Sequence, residues 1–142
     1  MKGKVNLLFM RLFDLLLALG FIVVGAMMIN SKYGIFSEGF PKEFSDALPF
    51  DSWFIPGIIL IIVFGAGNLA AFVISFIRRD NPHRLSLIMG CILLLFIIMQ
   101  VIILGEWYLA SVEFIILGVI QIVLSATYKS FTLMGKYIKM DV

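Results

Sequence analysis

The sequence predicts an all-α fold, a four-helix transmembrane bundle, and three observations predict it. Of 142 residues, 62% are hydrophobic and 14% charged, whereas soluble domains are near half apolar and a quarter charged. Mean hydropathy is +1.10, so more apolar surface is present than one water-facing domain can hide. The apolar residues also gather into four stretches, each close to the roughly 20 helical residues that a hydrocarbon core requires. Lipid satisfies no backbone polar group, so segments of this length read as helices rather than open strands. The chain is expected to be one domain, residues 1–142.

The first span is expected at about 8–29. Lys2 and Lys4 precede it in the manner of a signal peptide, but the apolar run is too long and ends in Ala26-Met27-Met28-Ile29 without a small-x-small cleavage site, so it reads as retained. The second span is expected at about 54–77, with Pro56-Gly57 marking a turn or kink near its outer end. The third is expected at 85–104 and the fourth at 107–128. Arg78-Arg79-Asp80-Asn81-Pro82-His83-Arg84 separates spans two and three, and only Gly105-Glu106 separates three and four. Links this short make neighbours antiparallel.

The first connection is different. It runs from Asn30 to Ser52 and is broken by Gly34, Gly39, Pro41 and Pro49. Pro41 can open a short helix with Glu43 near its positive end. Phe36, Phe40, Phe44, Phe50 and Trp53 give the loop an aromatic density that suits an interfacial belt or a cap over the bundle.

Orientation follows from the basic residues of short loops, which resist translocation. Lys2, Lys4, Arg11, Arg78, Arg79, Arg84, Lys129, Lys136 and Lys139 fall on one side, against Lys32 and Lys42 on the other. Both termini are therefore expected in the cytoplasm and the long loop outside, with the chain in a cell membrane of bacterial cytoplasmic type. So large an asymmetry argues against dual topology. The tail from Tyr128 to Met140 combines lysines with spaced aromatics and reads as drawn to anionic headgroups.

Several functions are disfavoured by what is missing. One cysteine, Cys91, allows no disulfide or Cys-x-x-Cys redox pair within the chain. A single histidine, His83, offers no multi-histidine metal or haem site. Gly65-Ala66-Gly67 lies in an apolar helix with no lysine after it and cannot be a phosphate loop. Ser111, Ser125 and Thr127 have no histidine at membrane depth to act as base. The net charge of +2 is not gathered into a basic surface, so nucleic acid is not an expected partner. No cofactor or metal is expected, and an enzyme is the least favoured reading.

Ionisable residues within spans cost about 2.5–3.5 kcal/mol each at the bilayer centre and need a reason. Arg11 and Asp14 are three apart and can pair with one another as an anchor near the cytoplasmic boundary. Glu113, about 10 Å below the outer end of span four, is the first candidate binding residue, and Gln100 falls at similar depth as its hydrogen-bonding partner. A second polar layer is expected nearer the cytoplasm, where Asn68 and Gln121, with Asp14, reach comparable depth when the spans are aligned by their ends. Small neighbours of Asn68 let helices approach closely enough for its amide to bond across the contact.

The stretch Leu48-Pro49-Phe50-Asp51-Ser52-Trp53-Phe54-Ile55-Pro56-Gly57, followed by Gly65-Ala66-Gly67-Asn68, looks like a pattern of small bacterial four-span proteins. The layout resembles the DoxX-like group: an arginine before span one, a long first outer loop and three tightly linked spans. That resemblance implies an accessory role beside membrane redox complexes. The residues themselves favour a non-enzymatic accessory or binding protein that packs with another membrane protein, a second copy of itself, lipid or a hydrophobic ligand. A small oligomeric transporter or channel using Glu113, Gln100 and Asn68 is the alternative.

Overall fold

The computed structural model describes residues 2–31, 34–78 and 80–140. Four long helices, Lys2–Asn30, Phe54–Ile77, Arg84–Leu104 and Leu109–Met140, form the protein, and no strand occurs among the described residues. Each is long and apolar enough to cross a bilayer. The chain is a multi-pass membrane protein, built as an all-α four-helix bundle.

Each helix ends where its chemistry requires. Span one stops at Asn30, because Ser31 takes a left-handed backbone (φ 45°). There Ser31 N–H donates to Met27 O at 2.9 Å and its hydroxyl to Met28 O at 2.5 Å, satisfying carbonyls that the helix end leaves free. Pro56 sits in the first turn of span two, where its missing N–H costs nothing. Span three closes on Gly105 at φ 70°, whose N–H caps Val101 O at 2.9 Å.

Three boundaries differ from the expected ones. Span one is helical from Lys2 and not only from residue 8. Span four begins at Leu109 rather than 107, because Gly105 to Tyr108 are used in reversing the chain. It then runs on without a break to Met140, so the basic tail continues the transmembrane helix. At 32 residues this helix is about 48 Å long, well beyond a hydrocarbon core of about 30 Å. Span two also carries a feature that apolar periodicity does not announce: Leu60–Ala66 is wound as π-helix between α-helical Phe54–Ile59 and Gly67–Ile77.

The four spans pack around Leu17, Phe21, Phe64, Met89, Leu93 and Ile97, all buried. Phe21 links the layer, with its ring 5.3 Å from Phe64 and 5.5 Å from Phe114. Spans one and two approach closely at Gly25 and Gly57, where a Cβ on either would stand 2.7 Å from the other's carbonyl oxygen. Such contacts need small residues because the two backbones themselves meet. Gly57→Leu should therefore lower stability by about 1–3 kcal/mol, the usual range for an overpacked core. Gly20, with nothing within 4 Å of a built Cβ, is the control: Gly20→Ala should melt no lower than the wild type in the same detergent.

The long connection folds over one end of the bundle. A 3-10 turn at Gly34–Glu38 and a helix at Lys42–Ala47 occupy it. Pro41 caps the latter, its carbonyl receiving Phe44 and Ser45 N–H groups. Trp53 is the hub: its indole N–H donates to Gly39 O at 2.9 Å, and its ring meets Phe36 at 5.1 Å and Phe40 at 4.9 Å. Phe44 joins the same cluster to Tyr108 at 5.1 Å, just before span four. The aromatics pack on one another and on the bundle end, with Phe36 and Phe44 buried. At the opposite end span one runs beside the lower part of span four, where Asn6 Nδ2 lies 3.4 Å from Leu124 O.

Candidate functional site: a buried polar layer joining all four spans

Five polar side chains meet inside the bundle, and every span supplies at least one. Asp14 comes from span one, Asn68 from span two, Ser86 from span three, and Gln121 with Ser125 from span four. All are 0–1% exposed. Asp14 Oδ1 accepts from Ser86 Oγ at 2.7 Å and from Gln121 Nε2 at 2.9 Å. The same Gln121 nitrogen donates its second hydrogen to Asn68 Oδ1 at 2.6 Å. Its amide is fixed by this, since only the nitrogen can serve two acceptors. Asn68 Nδ2 in turn donates to Phe64 O at 2.7 Å, inside the π-helical stretch.

Serines complete the layer. Ser125 Oγ lies 3.0 Å from Ser86 Oγ and 2.8 Å from Gln121 O, and its one hydroxyl proton can serve either. When it serves Ser86, a chain runs from Ser125 through Ser86 to Asp14 in which each bond polarises the next. Two buried acceptors are left over: Asp14 Oδ2 and Gln121 Oε1 have no hydrogen-bond partner among the described residues.

Arg11 does not pair with Asp14. Its Nε donates to Ser75 Oγ at 3.0 Å and a terminal nitrogen to Ser75 O at 2.6 Å, while the guanidinium lies 3.9 Å from the Phe76 ring centre. Three residues apart on one helix, the two side chains diverge: Arg11 turns to the C-terminal end of span two, and Asp14 turns to spans three and four. Arg11 is thus an anchor through a carbonyl, a hydroxyl and an aromatic face, a combination suited to a planar guanidinium.

Glu113 and Gln100 stand outside the layer. Because span four starts at Leu109, Glu113 lies only about 6 Å along the helix, on an exposed face. Gln100 is half-buried near the end of span three. The structure forms no hydrogen bond between these two. It does bring Asn68 and Gln121 together with Asp14.

Ser86 is the member that sequence reasoning did not name, and Ser125 was weighed there only as a nucleophile; the available signal was Ser125 four residues after Gln121, on the same helical face. His83, in the turn between spans two and three, is buried against Tyr128 with ring centres 5.7 Å apart. Desolvation, then the nearby Lys129 and Arg84, hold its pKa below the ordinary histidine value. Among the described residues no three His, Cys, Asp or Glu side chains converge to hold a metal ion.

Comparison with protein-family models, with curated proteins and with solved structures finds no match for this chain.

Proposed function

We propose that this membrane protein is a non-enzymatic, non-conducting accessory or binding subunit that works by packing its lipid-facing surface against a partner protein, lipid or hydrophobic ligand. One observation carries the reading: Asp14, Asn68, Ser86, Gln121 and Ser125, polar groups from all four spans, are turned inward and bonded to one another. A conduction path needs such groups to face water along the pore, and Asn68 and Gln121 instead use their amides on each other and on Asp14. Exposed residues such as Leu16, Leu19, Val23, Ile62, Leu95 and Ile102 leave the outside of the bundle apolar. An accessory role is also what the DoxX-like layout implies.

The alternative transporter reading would place Glu113, Gln100 and Asn68 on one path, whereas Asn68 lies in the core and Glu113 on the surface. The test is reconstitution into liposomes under a proton gradient and, separately, a potassium gradient. Dissipation no faster than in protein-free liposomes is expected. Protein-dependent flux of either ion would overturn the reading.

A further inference from the structure

We infer that the Asp14–Gln121 pair is a proton-binding site, in which one proton held on Asp14 Oδ2 and donated to Gln121 Oε1 latches the four spans together. Acceptors outnumber donors where the two side chains meet. Gln121 Nε2 is already bonded to Asp14 Oδ1 at 2.9 Å, so a carboxyl and an amide, both planar, face each other through one of their two edges' atoms. Their remaining atoms, Asp14 Oδ2 and Gln121 Oε1, are both acceptors, both buried and both without a partner among the described residues. An acid–amide pair closes into a ring when the acid carries a hydrogen on its second oxygen. One proton on the acid thus gives both orphaned atoms a role, as donor and acceptor of the same hydrogen bond.

The surroundings favour a proton over a metal ion. Two free oxygens fall short of the six or so that hard cations such as calcium or magnesium take. The charged and titratable groups near the pair are also few. Span one offers Arg11, whose guanidinium is engaged by Ser75 and Phe76. Span two has no ionisable residue between Phe54 and Ile77. Span three has Cys91, exposed on its outer face, and Arg84 at its cytoplasmic end, preceded by His83 in the turn. Span four has Glu113, Tyr128 and Lys129, none in hydrogen-bond contact with Asp14. An ionised Asp14 would consequently be an uncompensated charge in the bundle core, supported only by Ser86 and Gln121.

The proton acts as a latch because Asp14 bonds span three through Ser86 and span four through Gln121, and Gln121 reaches span two through Asn68. Removing it leaves Asp14 Oδ2 and Gln121 Oε1 both buried without a donor at the point where the spans meet. The folded bundle then holds a proton that the unfolded chain releases more readily, so stability is lost as pH rises. The inference concerns the same core as the proposed function but is read out separately: the carboxyl band decides it, whereas ion flux decides the other.

The experiment uses the full chain in lipid nanodiscs. Infrared difference spectra of wild type minus Asp14→Asn should show the band of an un-ionised carboxyl at neutral pH. That band should give way to the carboxylate bands as the pH is raised. Asp14→Asn carries its own N–H in place of the proton, so it should melt with the wild type at neutral pH and stay flat where the wild type loses stability at high pH. Asp14→Ala should melt lower at every pH. An ionised Asp14 at neutral pH, or an Asp14→Asn protein as unstable at neutral pH as Asp14→Ala, would overturn the inference. If Asp14→Ala fails to fold, the band and the flat profile of Asp14→Asn still decide it.

Discussion

A cysteine placed at Ser37 is expected to react fully with a membrane-impermeant maleimide added outside intact cells, and one placed at Asn81 only after the cells are opened. The expectation comes from Lys and Arg alone. Nine lie near the ends and the turn between spans two and three, against Lys32 and Lys42 in the long connection, and basic residues are retained on the cytoplasmic side. The fold is consistent with any four-span orientation, because it places the ends of spans one and four together and the long connection at the opposite end. Both test positions are exposed, so reactivity reports sidedness rather than burial. The native Cys91 is exposed on span three and is replaced by serine in the background. S37C labelled only after opening, with N81C labelled from outside, would invert the topology.

Gln121→Leu is expected to destabilise the bundle by about 1–3 kcal/mol. Hydrogen bonds between membrane helices average about 0.6 kcal/mol and reach about 1.7, and this substitution removes two of them, to Asp14 and to Asn68. It also strands the Asn68 oxygen, for which Gln121 is the only donor among the described residues, and leaving a buried group unsatisfied costs about 1–3 kcal/mol by itself. These costs overlap, which sets the upper end. Unfolding in mixed micelles measures it. A Gln121→Leu protein as stable as the wild type would mean that the layer is incidental to folding. Gln100→Leu, half-buried and outside the layer, should cost much less.

The spans were legible because length and apolarity decide a membrane helix almost alone. So was the meeting of Asp14, Asn68 and Gln121 in one layer: helices of fixed rise linked by tight turns bring residues at equal distance from their ends to equal depth. What end alignment cannot supply is the direction in which a side chain points. Arg11 and Asp14 share a helical turn, yet packing against different neighbours gives them different partners. Glu113 is an instance of the same gap, since two residues used in the turn before Leu109 change both its depth and the face it occupies. The roles of Ser86 and Ser125 were hidden by their ordinariness, for a serine in an apolar helix more often bonds its own backbone, as Ser130 does to Ala126 O at 3.2 Å. The π-helical stretch at Leu60–Ala66 left no mark in composition. It became visible only with the turn that sets Phe64 O against the Asn68 amide.

The central claim is that the spans are held in register by a shared polar layer, and a double-mutant cycle between Asn68 and Gln121 tests it most directly. The pair joins spans two and four at 2.6 Å, with no covalent neighbour to carry the coupling. Asn68→Leu, Gln121→Leu and the double variant are unfolded under one set of conditions. A favourable coupling of about 0.6–1.7 kcal/mol is the predicted result, the range that hydrogen bonds between membrane helices span. Strict additivity of the two single losses would contradict it.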